Sequence, residues 1–326
     1  MGYQQYFGST VDLTSALAAL APALKPTPRF VEVIVLLKDG EIQAFNGTTY
    51  SWCPIPEYYG PVALSAEKLQ KVWSEQCTMS VAEKFTTITK VKAGGKTRYK
   101  LSQKYVGDVF FPPRIEGGRL FPSWLKDAIK AARVFMSENA LHLWANAIMI
   151  HPTGVIATNN QILVKIPVAN NFGPILLPPW ALDILFSTDQ LPYFSFNDNT
   201  IRFDYENGAV LQAQRLEVEL PDKFIDFANS LTPASIPVGD IAADLEDVGM
   251  IGGRFCTFDN YTLTVDGSNG ESAVTETEIA GSFKMNVQTA QLVFSVATHI
   301  DFRDAPHRLR FSDNRTGLVG IATGAI

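Results

Sequence analysis

The chain has 326 residues, 46% of them hydrophobic and 18% charged, which is enough apolar material for two or three packed domains and excludes a disordered chain. Its net charge of −6 excludes a uniformly basic DNA-coating protein, though not one that confines positive charge to one surface. No apolar run reaches the ~18 residues that span a bilayer, so no membrane segment is predicted.

The first predicted element is a helix from Val11 to Leu24, followed by strands over Phe30 to Leu37 and Glu41 to Phe45 that flank the turn Asp39-Gly40. Gly60-Pro61-Val62-Ala63-Leu64 then leads into a second helix ending Val72-Trp73-Ser74. Thr86 to Lys92 and Thr97 to Gln103 flank Ala93-Gly94-Gly95-Lys96 as a hairpin, and Phe111-Pro112-Pro113 reads as a link. The next helix, Ser123 to Glu138, is the clearest. Pro122-Ser123 marks its start, and Leu125, Ala128, Ile129, Ala132 and Phe135 recur at helical spacing. Strands follow at Ile148 to Ile150, Gly154 to Thr158 and Ile162 to Ile166, with the turn Pro152-Thr153-Gly154 between the first two. Gly173-Pro174-Ile175-Leu176-Leu177 leads into a helix ending Leu185-Phe186-Ser187. Hairpin strands at Phe194 to Phe196, Ile201 to Tyr205 and Val210 to Gln214 precede a second link, Leu220-Pro221-Asp222. The last part holds a helix from Gly239 to Val248 and strands at Gly253 to Phe258 and Tyr261 to Val265. Gly281-Ser282-Phe283-Lys284-Met285 then leads into a helix ending Val293-Phe294-Ser295, and strands Arg308 to Phe311 and Leu318 to Thr323 close the chain.

The three glycine-led segments lie 113 and then 108 residues apart. A repeat of that period sets the architecture. It predicts an α+β chain of three tandem similar domains, 1–118, 119–233 and 234–326, each with two helices packed on a mostly antiparallel sheet. A ring or array fits such a chain better than one core with a single pocket. The three cysteines, Cys53, Cys77 and Cys256, are far apart with no C-x-x-C and read as reduced packing residues of a cytosolic protein. Met1-Gly2-Tyr3-Gln4-Gln5 lacks the basic and apolar regions of a signal peptide, so a cytoplasmic location is expected.

Local segments in the second repeat resemble the bacterial-type DNA polymerase sliding clamp, a ring-shaped processivity factor. Ala157-Thr158-Asn159-Asn160-Gln161-Ile162-Leu163 stands where that family has an Ala-Thr-Asp-Gly-His-Arg-Leu strand and turn. Ala145-Asn146-Ala147-Ile148-Met149 resembles its Leu-Asn-Gly-Met-Leu, and Leu216 to Asp222 its segment ending Phe-Pro-Asp. The closing strand Val319 to Thr323 is similar as well. Two features depart from the pattern: Asn160-Gln161-Ile162 replaces Gly-His-Arg, and Thr323-Gly324-Ala325-Ile326 lacks a Met-Pro-Met-type ending. A bacteriophage version is expected to drift in this way.

The resemblance implies a closed ring formed by a head-to-tail homodimer, with double-stranded DNA, a polymerase clamp-binding peptide and a clamp loader as partners, in the cytoplasm (the host's if viral). It implies a non-catalytic protein with no cofactor. Lys126, Lys130 and Arg133 fall at i, i+4 and i+7, opposite the apolar stripe of their helix. Alone they are an ordinary solvated face; in a clamp such helices line the DNA channel. Lys68 and Lys71, with Lys25 and Arg29 nearby, repeat the pattern weakly, whereas Asp240, Asp244, Glu246 and Asp247 oppose it in the third repeat. The resemblance also implies a peptide groove walled by Thr158, Leu163, Pro221, Val319 and Ile321, with Ala145, Asn160, Gln161 and Ile162 beside it. By alternation alone, Leu163, Val319 and Ile321 read as strand core.

Chemistry-bearing motifs point nowhere else. His142, His151, His299 and His307 have no metal-ligand spacing, and there is no P-loop, G-x-S-x-G or G-x-G-x-x-G. Asp301, Asp304 and His307 gather around an Ala305-Pro306 turn, which explains them better than acid–base catalysis. Two rival classes stay open: a phage structural or scaffold protein of repeated α+β domains, and an enzyme whose site is assembled across domains.

Overall fold

The structure is a computed structural model that describes residues 12–55, 60–137, 139–218, 221–239, 241–249, 252–267 and 270–324. The chain forms two compact units, one from Met1–Pro122 with Pro179–Arg215 and the other from Ser123–Pro178 with Leu216–Ile326.

The first unit is built on an eight-stranded antiparallel sheet. Its strands run in the order Val62–Ser65, Ile34–Lys38, Glu41–Phe45, Thr49–Pro54, Val210–Gln214, Thr200–Asp204, Tyr193–Phe196 and Arg119–Leu120. Helices Leu13–Ala19, Ala21–Leu24, Ala66–Val72 and Pro179–Leu185 supply the apolar partners, with Leu20, Val35, Ile42, Leu69 and Leu182 fully buried. A separate three-stranded sheet joins Cys77–Val81, Phe85–Lys92 and Gly95–Ser102. The helix expected as one piece from Val11 to Leu24 is two, since Pro22 in the first turn of the second helix favours a fresh helix start. Val11 lies outside the described residues.

The second unit repeats the plan. Its eight-stranded sheet has the order Ile175–Leu177, Ile148–His151, Gly154–Thr158, Ile162–Ile166, Leu318–Thr323, Arg308–Asp313, His299–Asp301 and Ile236–Pro237. A four-stranded sheet joins Ser272–Glu276, Thr262–Asp266, Phe255–Asp259 and Ser282–Asn286. The helices are Ser123–Arg133, Asp222–Asn229, Ile241–Gly249 and Val287–Phe294. Among the described residues no helix is long and apolar enough to cross a membrane.

Each glycine-led segment forms a strand that passes almost directly into a helix: Val62–Ser65 into Ala66–Val72, Ile175–Leu177 into Pro179–Leu185, and Ser282–Asn286 into Val287–Phe294. Each of these strands is the edge of its sheet. The side chain of Asn286 caps the last of the helices by accepting from the backbone N–H groups of Gln288 and Thr289. Each eight-stranded sheet draws strands from two neighbouring repeats, so the compact units cut across the sequence period.

The largest departure from the expected elements is the helix Asp222–Asn229, where a proline-bearing link is predicted; Pro221 stands at its N-cap. Helix Ser123–Arg133 is shorter than expected because Phe135 and Met136 donate to carbonyls three residues back, at 3.0 and 3.1 Å, and tighten its end; Glu138 lies outside the described residues. Strand Thr49–Pro54, which is not among the expected elements, alternates Thr49 and Ser51 with Tyr50 and Trp52, yet is buried on both faces.

Candidate peptide groove, basic helix face and sheet edges

One face of the larger sheet of the second unit carries an apolar cluster of Ala147, Met149, Ile156, Leu163, Leu176, Ile321 and the helical Ala228. Half-buried Trp144, Leu216, Phe224, Ile225, Phe227 and Leu231 pack around it. Leu163 stands directly opposite Ile321, and Lys165 opposite Val319, so these four share a face. Helix Asp222–Asn229 lies along that face and turns Phe224, Phe227 and Ala228 onto it, with the Trp144 and Phe224 ring centroids 4.7 Å apart. Pro221, at the helix entry, is exposed.

Thr158 stands directly opposite Leu163 and shares its face; the turn that follows it is held by side-chain hydrogen bonds. The buried hydroxyl of Thr158 donates to the Ile162 carbonyl at 2.6 Å, and Asn160 adopts the left-handed conformation at φ 73°. Asn159 Oδ1 accepts from the N–H groups of Gln161 and Ile162, completing an Asx-type turn. Gln161 is exposed; its carbonyl accepts from Thr323 N–H at 2.8 Å and its Oε1 from the Thr289 hydroxyl at 2.6 Å, tying the turn to the closing strand and the last helix. Ile162 alternates to the opposite face with Val164 and Ile166, on the side packed by helix Ser123–Arg133. Ala145 is fully buried in a short 3-10 turn, Leu143–Asn146, behind the site.

A polar chain borders the cluster. The Lys165 ammonium donates to Asn229 Oδ1 at 2.7 Å; the same oxygen accepts from the Thr153 hydroxyl at 2.8 Å, and Thr153 Oγ1 lies 2.8 Å from His151 Nδ1. Burial lowers the pKa of Lys165 below the ordinary lysine value. Burial first, and the Lys165 charge second, lower that of His151.

The basic helix face is modest. Leu125, Ala128, Ile129 and Ala132 are buried, Lys130 is exposed, and Lys126 and Arg133 are half-buried with interactions of their own. In the first unit Lys25, Arg29 and Lys68 are exposed, while Lys71 pairs with Glu67 at 2.5 Å one helical turn away. Asp244, Glu246 and Asp247 sit on helix Ile241–Gly249; Asp240 lies outside the described residues.

The two smaller sheets offer four edges. Gly95–Ser102 carries Lys96, Arg98 and Lys100, all exposed, with Lys100 Nζ 4.1 Å above the Phe85 ring. Ser272–Glu276 is flanked or ended by exposed Glu271, Glu276 and Glu278. Of the other two edges, Cys77–Val81 is uncharged and Ser282–Asn286 holds one lysine, Lys284. The edges of Gly95–Ser102 and Ser272–Glu276 are thus opposite in charge.

Asp301, Asp304 and their arginines serve the turn. Asp301 accepts from the Arg303 backbone N–H at 2.9 Å and pairs with its guanidinium, which holds the carboxyl below the usual carboxylate range; Asp304 pairs with Arg310.

No protein-family model matches the chain, and no curated protein matches it. Solved structures do. The chain is similar to the DNA polymerase III subunit beta of Pseudomonas aeruginosa, with a TM-score of 0.75 and 14% identity over 96% of this chain and 98% of that one. It is similar to the Bacillus subtilis DNA polymerase sliding clamp, with a TM-score of 0.73 and 12% identity over 96% and 97% of the two chains. A Pseudomonas aeruginosa sliding clamp bound to griselimycin matches with a TM-score of 0.74 and 12% identity, over 96% and 97%. The chain therefore has the sliding-clamp fold over nearly its whole length.

Proposed function

We propose that this protein is a DNA polymerase sliding clamp, a non-catalytic processivity factor that encircles duplex DNA and tethers a polymerase to it. The observation that carries this reading is the match to clamp structures over 96% of this chain and 98% of the other. In this reading the repeats 1–118, 119–233 and 234–326 are three clamp domains, and two copies joined head to tail supply the six that close a ring. Opposite charge on the edges Gly95–Ser102 and Ser272–Glu276 supports a joint in which the first strand of one copy pairs with the second strand of its partner. The basic edge has only one acidic counterpart among the four, which argues against pairing like with like.

Lys126, Lys130 and Arg133, with Lys25, Arg29 and Lys68, would hold phosphates without reading bases. Affinity per contact stays low enough to slide, and closure prevents escape. The apolar cluster under helix Asp222–Asn229 would take a short apolar peptide of the polymerase, raising its effective concentration at the template. A clamp loader would open the ring, in the cytoplasm of a bacterium or of a phage-infected host.

The test is topological. Loaded protein should remain on a nicked circular plasmid through gel filtration and run off once the plasmid is cut. Equal retention on circular and linear DNA would overturn the proposal.

A further inference from the structure

We propose that the groove of the second unit is specific for a peptide that carries a carboxylate beside its apolar anchors, and that Lys165 receives that carboxylate. The inference rests on the peptide-groove reading above and adds the chemistry of the occupant. Lys165 is 7% exposed and stands on strand Ile162–Ile166 two residues from Leu163, on the face that holds the apolar cluster. An ammonium has three N–H donors and needs compensation when buried. Among the described residues Lys165 has one hydrogen-bond acceptor, the neutral Asn229 Oδ1, and no ion pair with a carboxylate. The chain thus keeps a positive charge at the margin of an apolar surface and does not neutralise it.

The lysine is closely surrounded. Gly154, at φ 155°, lies against the lysine stem: an added Cβ would meet the Ile166 carbonyl oxygen at 2.4 Å and Lys165 Cε at 3.1 Å. Its head lies beneath two exposed residues, Thr153 in the turn before strand Gly154–Thr158 and Asn229 at the end of helix Asp222–Asn229. A ligand carboxylate that takes the place of the exposed Asn229 side chain would meet the ammonium there. Across the face, Arg308 lies over the Phe227 ring at 5.2 Å, while Arg310 is already engaged by Asp304. The charged groups that the sheet brings to this face are His151, Lys165, Arg308 and Arg310, the last paired with Asp304, and the covering helix adds exposed Asp222, Lys223 and Asp226. An incoming acidic residue meets attraction at both margins and a lysine-bearing peptide meets repulsion. Strand rise of ~3.3 Å per residue puts the Lys165 position about 7 Å from that of Leu163. An extended peptide spans that distance in two residues, so the carboxylate belongs two positions from the side chain seated on Leu163.

The probe is a panel of fluorescein-labelled hexapeptides with adjacent leucine and phenylalanine anchors, in which Asp, Asn or Lys occupies each flanking position in turn. Binding to the full chain is read by anisotropy at low and moderate salt. At one flanking position Asp should bind about tenfold more tightly than Asn, the scale of a charge-assisted hydrogen bond, and Lys more weakly than Asn. In Lys165→Met, which keeps the stem and removes the charge, the Asp-to-Asn ratio should fall to about one. Equal binding of Asp and Asn peptides to the natural chain would overturn the inference while leaving the groove reading in place. So would a preference that persists in Lys165→Met. Failure of every apolar peptide to bind would remove both.

Discussion

Reversing Lys96, Arg98 and Lys100 to glutamate should separate the proposed ring into single chains. The three side chains project from an edge strand and are exposed, and the opposing edge ends in Glu276 and continues to Glu278 on the same exposed face. Opposite charges facing each other across strands contribute roughly 0.2–1 kcal/mol and like charges cost a similar amount, so reversal swings each pair by about 1 kcal/mol. Two carboxylates at each of two equivalent joints make four such pairs, about 4 kcal/mol for the ring or about a thousandfold in its dissociation constant. Backbone pairing is untouched, so the effect should shrink in high salt. Sedimentation equilibrium over nanomolar to micromolar concentrations measures the constant, and adding Glu276→Lys with Glu278→Lys should restore much of it. A change below tenfold at low salt, or no recovery in the charge-swapped chain, would refute the edge-to-edge joint even if the protein proves dimeric.

Three further outcomes are expected. Replacing Lys126, Lys130 and Arg133 together by alanine should weaken DNA retention and flatten its logarithmic salt dependence by about 1 to 3, since each phosphate contact contributes close to one to that slope; filter binding across a salt series measures it. Ile225→Arg, at a half-buried position against the apolar cluster, should reduce binding of an apolar clamp-binding peptide at least ~10-fold with little change in thermal stability; calorimetry of the peptide and the melting curve read the two effects. Lys165→Met should stabilise the chain near neutral pH by ~1 kcal/mol, because it removes a buried charge without a carboxylate partner. The Lys165 pKa is lowered in the fold, so between its folded value and the unfolded value near ~10.4 the unfolded chain binds more protons and natural stability rises with pH. The advantage of the variant should therefore be complete below that window and disappear above it, as denaturant melts at neutral and alkaline pH would show.

The repeat was legible because the same arrangement recurs three times: a glycine-led edge strand feeding a helix whose apolar residues face the sheet. Helix Ser123–Arg133 was legible for a similar reason, its five-residue apolar stripe leaving no strand alternative. Of the residues the resemblance named for a groove, Leu163 and Ile321 face each other across paired strands and lie in the apolar cluster. It also named Thr158, which stands opposite Leu163 on that face while its hydroxyl locks the turn, and Ile162, which belongs to the other face. Thr158→Arg would therefore break a buried hydrogen bond as well as fill space, which is why Ile225 is the cleaner probe. Helix Asp222–Asn229 was missed because Pro221 reads as a link, although proline beside a helix start is an ordinary signal. Phe224, Phe227 and Ala228 carried the helical spacing that would have revealed it. Lys165 was invisible for another reason. A lysine in an apolar strand reads as an exposed position, and only the tertiary placement of Asn229 and Gly154 shows that it is buried.

The repeat also accounts for which edges remain open. A middle repeat has neighbours on both sides, and its strands complete an eight-stranded sheet with each of them. The first and last repeats each have one neighbour, and among the described residues one group of strands in each forms a separate sheet: three strands with a basic edge, and four with an acidic one. Exposed strand edges are ordinarily blunted, because unpaired backbone groups invite association. Here the lysine and arginine that would keep copies of the basic edge apart, and the glutamates that would do so for the acidic edge, are of opposite sign. Like edges therefore repel and unlike edges attract, which disfavours head-to-head pairing and favours the head-to-tail joint of the proposed ring. Three strands joined to four would make a sheet nearly as wide as the two the chain completes alone. The proposed joint with a second copy would use the two edges that carry opposite charge among the described residues.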